Sequence, residues 1–225
     1  MAVVSEVPDV ELIYVGGPMC SWCWGFAPAL RALEAGFELP LRVMVGGLRP
    51  GPSAQPLDAA MRDFLAHHWT QVADATGQPF DHRVLDTDGF VYDTETADMA
   101  VVVARRQQPE RTLDVFELIQ RGFYTGTLDP TNPVAISEAV AGIGFDTETM
   151  LAGLGDEAVR SETWRDFAQA HQWGITGFPT LLLRDRDSVG IVARGWMPAE
   201  PLIEGLTRWL VDNHGDAGRA LAGRD

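Results

Sequence analysis

The stretch "GGPMCSWCWGFAP", residues 16–28, contains the only two cysteines of this 225-residue chain, Cys20 and Cys23. Two cysteines separated by two residues can close a small disulfide ring and reopen it, which favours a dithiol redox couple. The residues before Cys20 predict a loop and those after it predict a helix. A sulfur at the start of a helix lies near unpaired N–H groups, which stabilise its thiolate.

The segments on both sides of the cysteine pair predict a β-α-β unit. Residues 10–17, "VELIYVGG", alternate and then break at two glycines, as a strand entering a loop does. Residues 24–36 predict a helix that stops at Gly36, and residues 39–48, rich in Val and Leu, predict a buried parallel strand. Together they predict a parallel strand pair with a right-handed crossover.

The rest of the chain predicts a helical block and then a return to the sheet. Residues 57–173 show helical periodicity without a convincing strand pair. Their first apolar face consists of Leu57, Met61, Phe64, Leu65, Trp69 and Val72. "PTLLLRD" and "VGIVARG" then predict a hairpin, and residues 198–214 predict a closing amphipathic helix with a frayed tail behind it. The order predicts one α/β domain, residues 1–52 and 174–225, interrupted by a helical domain over residues 53–173.

Two other interpretations of the cysteine pair are half of a zinc site and inert packing. A zinc site needs two more ligands, but the chain has no further cysteine and its five histidines form no pattern around the pair. Inert packing is disfavoured because the "GGPM" that precedes Cys20 is typical of a loop. We therefore expect redox chemistry and no bound metal.

The second decisive stretch is "GITGFPTLLL", residues 174–183. Gly177 and Pro179 break the chain immediately before a strand. A cis bond between Phe178 and Pro179 would turn the Phe178 backbone sideways, whereas a trans turn is the commoner arrangement.

These motifs, "CSWC", the proline of "CWGFAP" and "GFPT", resemble those of the DsbA-like disulfide oxidoreductases, and within them the FrnE-like dithiol–disulfide isomerases. By element order the resemblance covers essentially the whole chain. It implies an α/β, thioredoxin-like fold with a helical domain inserted after the second strand.

The resemblance also implies roles for particular residues. Cys20 matches the nucleophile, Cys23 the resolving thiol, and Pro179 the cis-proline beside the pair. Phe178 matches the residue whose backbone hydrogen-bonds an extended substrate as an added strand. Pro28 matches the proline that bends the active-site helix.

One position departs from the pattern. Many relatives carry a buried carboxylate six residues before the nucleophile, where it helps to deprotonate the resolving thiol, and this chain has Tyr14 there. The proton acceptor for Cys23 is therefore open, with Glu11, water or a group from the helical domain as candidates.

Ser21 and Trp22 lie between the thiols, where they are expected to influence the redox poise. With Phe178 they are the predicted substrate-binding residues. An apolar rim for an extended substrate is expected from Met19, Trp22, Trp24, Trp173 and Phe178.

The composition of the chain argues against some classes of partner and reaction. A net charge of −15 argues against nucleic-acid binding. All 17 basic residues are arginines, which excludes a lysine Schiff base. The first 17 residues lack a secretion signal and no apolar run has the length of a membrane span, so we expect a cytoplasmic protein. We expect protein or small-molecule thiols and disulfides as partners, glutathione as a candidate thiol partner, and no bound cofactor.

Two other functions stay open. Glutathione-dependent isomerases and transferases similar to the kappa-class glutathione transferases share this scaffold, although they typically place a serine where Cys20 stands and need no second thiol. A non-catalytic module whose cysteines sense oxidation or hold a metal is the other alternative. Substrate, direction of exchange and oligomeric state do not follow from the sequence.

Overall fold

The protein is described by a computed structural model over residues 9–223. The first eight residues, on which the expectation about a secretion signal partly rests, lie outside this range. The elements are β1 Val10–Gly16, α1 Ser21–Gly36, β2 Leu41–Val45, β3 Gln55–Pro56, α2 Ala59–Thr76, β4 Val91–Tyr92, α3 Glu95–Gln107, α4 Thr112–Tyr124, α5 Pro133–Ala141, α6 Thr147–Leu154, α7 Glu157–Gln172, β5 Thr180–Asp185, β6 Ser188–Arg194 and α8 Ala199–Leu221.

Four strands form the main sheet in the order β2-β1-β5-β6. Strands β1 and β2 are parallel, with Tyr14 opposite Val43, as the β-α-β pattern predicts. Strand β5 runs antiparallel to β1, and β6 closes the predicted hairpin with β5. This is the predicted α/β, thioredoxin-like fold, with the additional helices entering after the second strand.

The central strand β1 is buried on both faces because its alternate side chains point to two different cores. Leu12 and Tyr14 belong to the large core that also contains the α1 residues Phe26 and Leu30. Ile13 and its neighbours on the other face pack in a smaller core beside α7. The cysteine loop, which follows β1 directly, is therefore anchored at the centre of the molecule.

The helices between β2 and β5 contact both α1 and the sheet. Helices α2 and α4 lie against α1, and α3 and α7 lie against β2. Residues of these helices reach the end of the sheet where the cysteines lie. The predicted boundaries at residues 52 and 173 fall in a short 3₁₀ turn, Gly51–Ser53, and between α7 and β5. The division into two domains stays a prediction.

A buried ion pair joins these helices to the edge strand β2. The Asp166 carboxylate accepts a hydrogen bond from the Val45 backbone N–H at 3.2 Å and pairs with Arg105 at 2.7 Å. Arg105 also donates to the Val43 carbonyl at 3.0 Å. The free edge of β2 is thus satisfied from within the chain, which protects it from pairing with another strand.

Three sequence expectations are corrected. A two-residue strand pair, β3 with β4, lies partly inside the block predicted to be wholly helical. Phe64, predicted on the buried face of α2, is 54% exposed. The chain after His214 continues as helix to Leu221 rather than fraying, because Leu221 is buried and its carbonyl accepts from the Glu38 N–H. A non-helical Gly215 allows this second segment to turn back onto the body.

Within residues 9–223, the longest helices are too polar or too short to cross a bilayer.

Candidate active site

Cys20 is the N-cap residue of α1. Its backbone is extended, with φ −94° and ψ 116°, and its carbonyl accepts the first helical hydrogen bond, from Trp24 N–H at 3.0 Å. The side chain therefore lies at the helix N-terminus, where free N–H groups favour a thiolate. Cys20 is 7% exposed, and this small exposed part faces a cavity.

Cys23 lies one helical turn further, next to Cys20 and without any exposed surface. Both cysteines are free thiols. A hydrogen bond from the Cys23 side chain lowers the pKa of Cys20, and the backbone N–H groups of Cys23 and Trp22 add to this effect against the opposing effect of burial. Burial and the neighbouring Cys20 raise the pKa of Cys23 well above its usual range. Of the two thiols, Cys20 is therefore the one that ionises first.

The loop before β5 faces the cysteine pair. The Phe178–Pro179 peptide bond is cis. The Cys20 thiol donates to the Phe178 carbonyl, with 3.7 Å between Sγ and O. Pro179 itself is held to the sheet, since its carbonyl accepts from the Gly195 N–H at 2.8 Å. Residues 158 positions apart in sequence thus meet at one sulfur.

A cavity of about 550 Å³ opens above the cysteine loop. Cys20 borders it together with the three predicted substrate-binding residues, Ser21, Trp22 and Phe178. Its volume lies in the range of small-molecule sites, and Cys20 lies on its border. The structure brings these four residues together, whereas Pro179 does not border the cavity.

The helices that follow β2 supply the walls that sequence reasoning did not find. Phe64 and His68 of α2 form one wall, and Trp164 and Phe167 of α7 form another. Phe64 and Trp164 are 54% and 38% exposed, which is unusual for large apolar side chains. Their only signal in the sequence was a place on an apolar helix face, where burial is the ordinary expectation.

Arg49 is the third feature that sequence reasoning did not find. It follows β2 on the cavity border, stacks on the Tyr92 ring at 5.5 Å, and helps to lower the pKa of Cys20. Burial, His67 and Arg49 lower the pKa of His68 on the α2 wall. Among the described residues that border the cavity, none carries a carboxylate, although the chain holds 32 acidic residues.

The expected apolar rim is only partly correct. Met19, Trp22 and Phe178 border the cavity. Trp24 is buried instead, stacked on a tyrosine with its indole N–H donating to the Pro79 carbonyl. Trp173 packs into the smaller core behind the sheet. These two rings are structural because helix α1 and the end of α7 turn them away from the opening.

Tyr14 lies in the buried surroundings of Cys23. Tyr14 has no exposed surface, and its ring packs against Phe26 and Phe116. A Cβ atom added to Gly16 would lie 2.7 Å from the Tyr14 hydroxyl oxygen and 3.0 Å from Cys23 Sγ, so both atoms border one small volume. Glu11, the nearby acidic candidate, forms an ion pair with Arg184 of β5 at 3.0 Å.

A buried carboxyl group lies on the other side of the loop. Asp98 of α3 has no exposed surface, and its Oδ1 atom approaches Gly17. Burial raises the pKa of Asp98 well above its usual range, because desolvation disfavours the charged carboxylate. Thr94 donates to its other oxygen at 3.3 Å.

In the part of the chain that the structure describes, no three metal-ligating side chains of the His, Cys, Asp or Glu types converge.

A C-x-x-C pair at the start of the first helix, beside a proline loop and on a four-stranded sheet, defines a thioredoxin-fold dithiol site. The chain belongs to the family of DSBA-like thioredoxin domains, whose family model matches residues 18–201. The resemblance inferred from the motifs is thereby confirmed. The fold is that of the DsbA-like thiol–disulfide oxidoreductases.

Solved structures support the same assignment. A protein from Nitrosomonas europaea, provisionally assigned as a protein disulfide isomerase, is 32% identical, covers 91% of this chain and 98% of its own, and superposes with a TM-score of 0.83. The cytosolic disulfide reductase DsbM from Pseudomonas aeruginosa is 22% identical over 93% of this chain and 95% of its own, with a TM-score of 0.72. DsbM has also been solved with GSH. At 22% identity, the similarity to DsbM shows a shared fold.

Among curated proteins, the ClpXP adapter protein SpxH from Halalkalibacterium halodurans is 22% identical over 188 residues. The match covers 80% of this chain and 61% of that protein's length.

Proposed function

We propose that this protein is a cytoplasmic thiol–disulfide oxidoreductase with disulfide isomerase activity, and that Cys20 and Cys23 are its catalytic pair. The observation that carries the proposal is the asymmetry of the pair. Cys20 lies at a helix N-terminus with a lowered pKa and faces a cavity, while Cys23 is fully buried with a raised pKa. One sulfur can meet a substrate and the other can only meet the first.

The proposed exchange has two steps. The Cys20 thiolate attacks a substrate disulfide, forming a mixed disulfide while the first substrate thiolate leaves and takes up a proton. Cys23 then loses its proton and attacks Cys20 Sγ, which releases the second substrate thiol and leaves a Cys20–Cys23 disulfide. The pair is oxidised by two electrons and the substrate disulfide is reduced by two. With a reduced substrate the same steps run in reverse.

The lining of the cavity suits two classes of substrate. Its Phe178 carbonyl can accept a backbone N–H of an extended chain, and its aromatic walls suit an apolar flank. Arg49, the one arginine on its border within the described residues, suits a carboxylate-bearing thiol such as glutathione. We therefore propose both protein disulfides and small anionic thiols as substrates. The proposed cytoplasmic location is consistent with DsbM, a protein of similar fold that is described as cytosolic.

Replacing Arg49 should separate charged from uncharged substrates. In Arg49→Gln we expect kcat/KM for oxidised glutathione to fall about tenfold more than kcat/KM for uncharged hydroxyethyl disulfide, because only the former loses an ion pair. Both values fall somewhat, since Arg49 also lowers the pKa of Cys20. Arg42→Gln is the matched control, because it removes the same charge from an exposed position of β2 away from the cavity. Equal losses for both disulfides would contradict a carboxylate subsite.

The proposed function is tested with the purified full chain. We expect it to accelerate insulin reduction by dithiothreitol and the recovery of activity by scrambled ribonuclease, because a cavity-facing sulfur with a lowered pKa and a resolving sulfur are both present. A colour assay for bound zinc and an assay of glutathione conjugation run in parallel. Stoichiometric zinc without exchange, or conjugation that survives loss of both thiols, would overturn the assignment.

A further inference from the structure

The buried Tyr14 hydroxyl has no ordinary structural explanation. Among residues 9–223 it makes no hydrogen bond of standard geometry, although it has no exposed surface. A desolvated hydroxyl without a partner is costly, and a phenylalanine would fill the same space without that cost. The ring alone accounts for the packing against Phe26 and Phe116.

The reactive atom beside this hydroxyl is the Cys23 sulfur. Both border the small volume above Gly16, at 2.7 Å and 3.0 Å from the place a Cβ would take. Gly16 leaves this volume open because it has no side chain. Any side chain at this position would collide with the hydroxyl. Strand β1 carries Tyr14 and helix α1 carries Cys23, so two rigid elements set their approach.

We propose that the Tyr14 hydroxyl is a catalytic hydrogen-bond donor to the Cys23 thiolate, which it stabilises during resolution of the mixed disulfide. This inference rests on the proposed function. A neutral thiol is a poor acceptor, so the hydroxyl is unpartnered in the dithiol state described here. When Cys20 is bonded to a substrate, Cys23 must ionise in a site closed to water, and the waiting O–H then forms a charge-assisted hydrogen bond.

The chemistry of the phenol fits a donor and excludes a base. Burial and the adjacent Cys23 raise the pKa of Tyr14 well above its usual range, so the hydroxyl keeps its proton throughout the cycle. Cys23 attacks Cys20 Sγ, a Cys20–Cys23 bond forms as the Cys20–substrate bond breaks, and the proton lost by Cys23 balances the one gained by the departing thiolate. Tyr14 transfers no proton in this step.

Ellman's reagent separates the two steps in one experiment. Reduced protein releases one coloured thiolate when Cys20 attacks the reagent and a second when Cys23 resolves the mixed disulfide. In Tyr14→Phe we expect the second release to slow about tenfold while the first keeps its rate, because only Cys23 loses a donor. In the Cys20→Ser background, the Cys23 pKa, followed by its ¹³Cβ shift, should rise by about one unit when Tyr14→Phe is added.

Two further variants keep the test decisive. Tyr124→Phe removes a hydroxyl that is equally buried in the same large core, and it should leave both releases unchanged. A fluorinated tyrosine at position 14 keeps the shape and strengthens the donor, so it should lower the Cys23 pKa even if Tyr14→Phe folds poorly. The inference would be overturned if neither the rate of the second release nor the Cys23 pKa changed with any replacement of Tyr14. Absence of both releases from the wild-type protein would instead overturn the proposed function.

Discussion

We expect Cys20→Ser to abolish the proposed disulfide exchange, with a loss of at least ~10³-fold in insulin reduction, the scale on which loss of a nucleophile acts. The serine hydroxyl is not ionised at neutral pH and cannot form the mixed disulfide. No other sulfur can take over, because Cys23 is the only other cysteine and has no exposed surface. The measurement is the initial rate of insulin reduction, with the unfolding midpoint as a check that the fold is intact.

Cys23→Ser is the matched control for this first result, since it also removes one thiol but leaves the attacking one. Mass spectrometry after mixing with an excess of disulfide should find a mixed-disulfide adduct on Cys23→Ser and none on Cys20→Ser. Retention of a tenth or more of the wild-type rate by Cys20→Ser would exclude Cys20 as the nucleophile.

Cys23→Ala arrests the reaction halfway. The mixed disulfide on Cys20 then has no internal thiol to resolve it and waits for an external one. We expect its lifetime at millimolar external thiol to lengthen at least ~10²-fold, because a neighbouring thiol acts at a far higher effective concentration. The trapped species is read by non-reducing electrophoresis or intact mass, and adding excess dithiothreitol should discharge it.

The two replacements of Cys23 differ in a way that the structure predicts. The Cys23 side chain is the main cause of the lowered pKa of Cys20, through its hydrogen bond. Cys23→Ala removes that donor and should therefore form the adduct more slowly than Cys23→Ser, which retains a hydroxyl. Adducts that form on neither variant, or that resolve as fast as in the wild type, would contradict a resolving role for Cys23.

In the proposed mechanism, exchange chemistry and substrate selection come from different parts of the chain. The sheet and α1 hold the two sulfurs and the Phe178 carbonyl, while α2 and α7 contribute the aromatic walls of the cavity. Changes at Phe64 or Trp164 can therefore alter which substrates enter without touching the exchange chemistry. Among residues 9–223 no carboxylate borders the cavity, in contrast to the overall charge of −15.

Much of the fold could be predicted from local patterns. The alternation of β1 and the stop at Gly36 are signals carried within a few residues, and strand β1 and helix α1 form accordingly. The pair β3 and β4 was not predicted because two-residue strands have no periodicity to detect. The helix after His214 was not predicted because small residues gave no sign that Leu221 would find a partner.

The sequence by itself determined the chemistry: two sulfurs one helical turn apart, a helix start beneath the first, and a proline loop before a later strand. These properties are local, since backbone geometry and residue spacing suffice to produce them. Only the tertiary structure decided what surrounds the sulfurs. Arg49, Phe64 and Trp164 reach one cavity, and Tyr14 reaches Cys23, because separate elements pack together, and contacts between distant segments leave no pattern in either segment alone.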